Sequence, residues 1–278
     1  MTKWLLTVLL LASTTFAQDA SKPVGPLPLG DVLLSLPTSH MPAAGAWESR
    51  FTHRFNQSID EGEGFHSLFG LDGGANVGIG LSYTPRRDFQ IAVNRSNIQD
   101  TFEVTAKYLM FQQARAIPFT TALRLGADVR TERDLEDRTS FFAQAIVSRQ
   151  FGEKLELFAI PTYVTDAGRA ISGEATVSLF KTAFNVPVGA ALRVRRGTSI
   201  VAEIIPPNGD LPDEFNADVG WALGIKQAVG GHFFEILLTN NNATSADQYT
   251  TSTFQGAPFD TGDLRLGFNI ERRFGSRR

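Results

Sequence analysis

The feature that most limits how this chain can fold is an alternation of apolar and polar residues with period two, repeated almost from end to end. In "ANVGIGLSY", Ala75, Val77, Ile79, Leu81 and Tyr83 alternate with Asn76, Gly78, Gly80 and Ser82. Further on, Phe102, Val104, Ala106, Tyr108 and Met110 alternate with Glu103, Thr105, Lys107 and Leu109. Successive side chains of an extended strand point to opposite faces, so each run is a strand with one apolar face. Twelve runs are legible: 47–55, 74–84, 88–94, 101–111, 118–130, 139–150, 154–163, 187–195, 198–205, 219–228, 232–239 and 262–273. Runs 88–94, 198–205 and 232–239 are short for spanning strands, so their ends are expected to extend. No helical pattern is long enough to supply a second layer, and 170–184 is ambiguous. The fold class is all-β.

One-sided strands suit a soluble sandwich as well as a membrane barrel, and the connections separate the two. Long ones (56–73, 131–138, 164–186, 206–218, 240–261, with 95–100 the short member) alternate with tight ones such as "TPRRD", "QFGEK", "RRGTS" and "VGGH". A sandwich has no reason to gather its long loops at one end. An outer-membrane-type barrel does. In hydrocarbon a sheet must also close on itself to pair every backbone group. The expectation is a closed antiparallel transmembrane-type β-barrel of twelve strands, with a soluble exported sheet protein that binds a small apolar ligand as the alternative.

Around that barrel, Lys3, an apolar run from Trp4 to Ala12 and small residues up to Ala17 make residues 1–17 a signal peptide. Residues 18–46, rich in Pro and Gly, form a periplasmic or plug-like arm, 47–274 the barrel, and 275–278 a basic tail. Export matches a chain without cysteine only if a core, lipid or partners hold it together. The absence of cysteine also removes thiol nucleophiles and Cys-rich metal sites. A net charge of -3 gives no sign of nucleic acid as partner. The 22 Phe suit deeply buried strand faces and the 25 Gly suit curved sheets.

If the apolar faces meet lipid, the charged faces line the lumen. That set is Glu48, Arg50, Arg54, Glu103, Lys107, Arg124, Asp128, Arg130, Arg265, Glu271 and Arg273. Closure brings the first and last strands together, and with them Arg50 and Arg54 toward Arg265, Glu271 and Arg273. Interspersed charges of both signs can lock a narrow lumen, line a polar passage of little selectivity, or form a ligand site. Gly78 and Gly80 reduce bulk on the lumen side where another chain segment approaches. In the long connections Asp60, Glu61, Glu63, Asp72, Asp210, Asp213, Glu214, Asp247 and Asp260 form an acidic set, read as solvated loop surface.

Covalent chemistry finds little support. His40, His53, His66 and His232 are the histidines, and His53 shares the outward parity of Phe51 and Phe55. His66 and Ser67 are adjacent, but neighbours on a strand face opposite ways and no spacing supplies an acid. "DGG" at 72–74 does not complete a calcium loop. No catalytic residue, metal or cofactor is expected, and the ligand-binding residues are open.

The segments "LPTSHMPAAGAWESRFTHRFNQ" and "FHSLFGLDGGANVGIGLSYTPRRDFQIAVNRSNIQDTFEVTAKYLMFQQ" resemble the bacterial domain-of-unknown-function family 5777. The matching positions are His53–Arg54–Phe55, Phe69–Gly70–Leu71–Asp72 and Lys107–Tyr108. The resemblance implies an exported barrel and transfers no mechanism. The expected function is a non-enzymatic outer-membrane channel, assembly component or surface scaffold. Its expected partners are outer-membrane lipid, small polar solutes and other envelope proteins. An outer-membrane hydrolase is the third reading.

Overall fold

A computed structural model describes residues 27–60, 64–114, 116–132, 138–172, 175–206, 219–251 and 264–275. The signal peptide expected at 1–17, residues 18–26 of the expected arm, tail residues 276–278 and acidic residues Glu61, Glu63, Asp210, Asp213, Glu214 and Asp260 lie outside the described residues.

The strands are β1 (Ala46–Phe55), β2 (Ala75–Arg86), β3 (Phe89–Ser96), β4 (Thr101–Phe111), β5 (Thr120–Arg130), β6 (Arg138–Phe151) and β7 (Leu155–Ala159). They continue as β8 (Thr162–Ser172), β9 (Ala175–Asn185), β10 (Val188–Arg195), β11 (Thr198–Ile205), β12 (Gly220–Val229), β13 (His232–Thr239) and β14 (Arg265–Phe274). All pairings are antiparallel. The sheet order runs from β5 through β1 to β14 and on to β10, β7 and β6, and a β5–β6 pairing closes the ring.

Fourteen segments make twelve wall positions. β7 and β8 are one strand broken at Ile160–Pro161, and β9 and β10 are one strand broken at Val186–Pro187. The register shows this, because pairing runs unshifted from Leu155↔Leu192 to Ser172↔Ala175. The connection expected at 164–186, including the ambiguous 170–184, is therefore the upper part of a long hairpin. Its composition hid it: Asp166, Gly168 and Gly173 interrupt the alternation, and Asp166 has φ of 47°. A sandwich is excluded by closure. Strands β11 and β13 remain eight residues long, so their ends do not extend as expected, whereas β3 loses Asp88 and gains Arg95 and Ser96, a net extension of one residue.

Side-chain parity divides the wall into two faces. Outward lie Ile79, Phe141 and Ile236, at 63%, 62% and 70% exposure, in a continuous girdle with Leu81, Val104, Leu125 and Ile225. An apolar band this extensive, carried on a closed sheet, is the surface a bilayer covers. Trp47 stacks on Tyr83 with ring centroids 4.5 Å apart, at the end of the girdle nearest the tight turns. His53 also faces outward, stacked on Phe268 at 4.9 Å.

Candidate functional site: a lumen filled from both ends

Each of the charged lumen-parity residues has a place in the closed barrel. Glu48, Arg54, Glu103, Lys107, Arg124, Asp128, Arg130 and Glu271 are buried, and Arg50, Arg265 and Arg273 are half-buried. The β1–β14 pairing sets Glu48 opposite Arg273 and Arg50 opposite Glu271. Arg273 Nη2 lies 2.7 Å from Glu48 Oε2. Arg50, however, donates to Asn94 Oδ1 (2.9 Å), and Arg265 donates to the Asn56 carbonyl at the rim (2.9 Å). Arg124 bridges Glu103 and Gln144.

Two segments of the chain itself fill the space between these walls. The first is the arm, residues 27–45. It has almost no regular structure, so its backbone polar groups need partners from elsewhere, and the wall supplies them. Glu203 of β11 accepts the N–H groups of Leu34 (2.8 Å), Ser35 (3.0 Å) and Leu36 (2.9 Å). Lys226 of β12 donates to the carbonyls of Leu29, Val32 and Leu33 and pairs with Glu235 at 2.7 Å. Arg54 and Asn269 both donate to the Leu34 carbonyl, at 3.0 and 2.8 Å. Lys107 donates to the carbonyls of Thr38 and His40 and pairs with Asp31. Nearer the tight turns, His40 Nε2 meets Glu156 at 2.9 Å and Ser39 Oγ lies 2.6 Å from Ser148 Oγ.

Burial works to raise the Asp31 carboxyl, but the Lys107 ammonium bonded to it outweighs this, with help from Arg50 and Arg124. Together they hold it down to about 2.

The second segment enters from the opposite end. Residues 240–251, with the short helix α1 (Ala246–Thr251), fold inward from the β13–β14 connection. Asp247, read from sequence as part of an exposed acidic loop, is buried and paired with Arg130. Asp128 Oδ2 accepts the Asp247 N–H (3.0 Å), and Glu103 Oε2 accepts the Ala246 N–H (2.9 Å). Tyr249 Oη accepts from Gln144 Nε2 (2.8 Å), and burial pushes its phenol upward. Asn185 holds the Thr250 carbonyl (2.7 Å). Beside this segment a cavity of about 20 Å³ remains between Arg50, Asn94, Glu103 and Ser245, room for about one water.

Sequence reading missed a second feature of the lumen. On β6 to β11 the inward face is also apolar: Phe142, Ile146, Phe158, Ile160, Ala191, Val201 and Ile205 pack in one cluster with Leu27, Leu29, Leu33, Leu34 and Leu36 of the arm. The doublet Phe141–Phe142 and the run "LFAI" carried the signal, since a strand apolar on both faces has something to cover each of them. Glycine makes room for the arm. A Cβ on Gly189 would strike Leu33, and one on Gly224 would come within 2.9 Å of Leu34. Gly78 is crowded by Thr52 and faces Thr244 of the inward loop.

The sequence pair His66–Ser67 sits in a 3₁₀ segment (Gly64–Gly70), not a strand, and Ser67 Oγ donates to the Gly64 carbonyl (3.1 Å).

Comparison with known proteins agrees with this architecture. The COG4313 outer membrane channel from Pseudomonas putida F1 is similar in fold, with a TM-score of 0.52 at 10% identity over 91% of this chain and all of that one. The NanC porin gives 0.49 at 7% identity over 83% and 100%. Outer membrane phospholipase A from Escherichia coli gives 0.44 at 9% over 84% and 94%. At 10% identity the likeness to the Pseudomonas putida channel speaks to fold alone, and nothing is built on the two lower scores. No curated protein matches the chain in sequence. The model of the membrane bound beta barrel domain (DUF5777) matches residues 30–274. The chain belongs to that family and is a membrane-bound β-barrel of the outer-membrane type.

Proposed function

We propose that the chain is a non-enzymatic outer-membrane channel, narrowed by its inward loop, closed at rest by its own arm, and opened when the arm leaves. The observation that carries this reading is how the arm is held. Glu203, Lys226, Arg54 and Lys107 grip its backbone, so part of the wall beneath it carries charged groups and keeps them once it has gone. Twelve strands enclose more space than short side chains fill, and barrels of greater girth leave channels or are plugged. With the arm withdrawn, the side of the lumen built from β14 and β1–β5 would present Arg54, Lys107, Arg124, Glu103 and Glu271. Both signs are represented, which favours small polar solutes with little charge selectivity.

Planar-bilayer recording of the full chain and of a chain lacking residues 18–40 tests this. The full chain should be nearly silent and the shortened one should conduct. Silence from both, with the shortened barrel folded, would leave a surface scaffold as the function.

A further inference from the structure

Two prolines stand where central strands of a membrane wall do not tolerate them. Proline gives no N–H to a ladder and belongs at edges and bulges, yet Pro161 and Pro187 interrupt neighbouring positions of a closed barrel. Ala145 donates to the Pro161 carbonyl (3.0 Å), and Ile160 donates to the Pro187 carbonyl (2.8 Å). Neither bond can be returned. One ladder bond is therefore missing on each side of the β7–β8 strand, at adjacent residues. Thr162 Oγ1 covers the Ile160 carbonyl from its own strand (2.9 Å), which satisfies that group without tying the two strands together. Pro161 lies seven residues past Lys154 of the tight turn. That is about two-thirds of a nine- to eleven-residue spanning strand, well inside the hydrocarbon.

The lumen behind this seam is its apolar sector. Leu33 of the arm sits against Gly189, two residues past Pro187, in the same apolar cluster as Phe158. Ile160, Phe142, Val164 and Ala183 complete the surface. What the chain itself places there is an alkyl side chain, and the sector meets the charged half of the lumen where the Arg124 guanidinium lies over the Phe142 ring, 4.9 Å from its centroid.

We propose that this sector is a binding site for the alkyl chain of a single-chain amphiphile such as a fatty acid, occupied here by Leu33. The proline-broken seam is its lateral passage to the bilayer. The inference rests on the channel reading in one respect, that the arm leaves.

Phosphatidylcholine vesicles preloaded with palmitate bearing an alkyl diazirine supply the test, with the full chain and its Leu33→Asp variant. The substituted carboxylate cannot stay in the apolar cluster, so the arm lifts while every wall strand is unchanged. Photolabelling of the lumen-facing residues Phe158, Ile160 and Ala191 should rise about tenfold in the variant. Adding Tyr163→Cys and Phe184→Cys, which face each other across the seam, allows closure by oxidation in a chain with no other cysteine. Oxidation should cut lumen labelling about tenfold, and reductant should restore it. Pro161→Thr with Pro187→Thr, which returns both N–H groups, should act like oxidation. Label confined to outward residues such as Leu157 in all chains, or lumen label indifferent to the disulfide, overturns the proposal. Ionic current recorded on the same Leu33→Asp chain separates the two readings. Current without lumen label defeats the alkyl site alone, and label without current defeats the channel alone.

Discussion

Glu203 of β11 and Arg54 of β1, with three strands between them in the wall, clamp one residue of the arm. The carboxylate takes the Leu34 N–H at 2.8 Å, and the guanidinium donates to the Leu34 carbonyl at 3.0 Å. A side-chain clamp on backbone groups lets a segment without secondary structure lie in a lumen with its polar groups paired.

Glu203→Gln should weaken that clamp most, because an amide oxygen replaces a charged acceptor of three N–H groups. The expected cost to arm docking is about 2–4 kcal/mol. Hydrogen exchange at Leu34, Ser35 and Leu36 should accelerate by about 30- to 1000-fold, while exchange in β1 to β6 stays unchanged.

Asp31 gives the arm a pH response. Its carboxyl is held down to about 2 in the docked state, below the ordinary value of about 3.9. A depressed folded pKa stabilises docking above the ordinary value, and the contribution fades as pH falls through the docked one. The difference in protease access to the arm between the wild-type chain and Asp31→Asn should therefore be constant from pH 7 to about pH 4 and vanish between about 4 and 2. Asp31→Asn should lose that contribution at every pH and flatten the response.

The inward loop should be anchored by its ion pair more than by its phenol. Asp247→Asn leaves the buried Arg130 without its charged partner and should cost about 3–5 kcal/mol. Tyr249→Phe removes one acceptor for Gln144 and should cost about 1 kcal/mol. Urea unfolding of the lipid-reconstituted barrel gives both values, and equal costs would count against the ranking.

On the lipid face, Ile236→Arg should destabilise the barrel by about 2–4 kcal/mol at mid-bilayer depth, whereas Phe65→Arg, in the exposed 3₁₀ segment, should change stability by about 0.5 kcal/mol or less. Folding yields in vesicles of matched thickness distinguish them.

What could be read from the chain follows from how local each signal is. Strand parity is set by neighbouring residues, so the girdle of Ile79, Leu125 and Ile270 and the inward rows around Arg54 and Asp128 were visible without coordinates. Chain closure then followed from hydrogen-bond demand in hydrocarbon. Contacts between distant segments were not visible. Nothing near Glu203 signals that it accepts from Leu34, 169 residues away, and nothing near Asp247 announces Arg130. Leu27 to Leu36 reads as a loose apolar stretch until an inward apolar sector exists to receive it. The β8–β9 hairpin was obscured because its glycines and Asp166 break the alternation that the rest of the wall keeps.

Ser39 and Ser148 provide the most direct test, their hydroxyl oxygens being 2.6 Å apart across arm and wall. In a cysteine-free chain, Ser39→Cys with Ser148→Cys can tether the arm reversibly, here combined with Glu203→Gln and followed by single-channel recording. An oxidised barrel that stays silent and conducts once reduced is the predicted result. Equal current in both states, or silence in both, would contradict the claim that the arm is the barrier in the lumen.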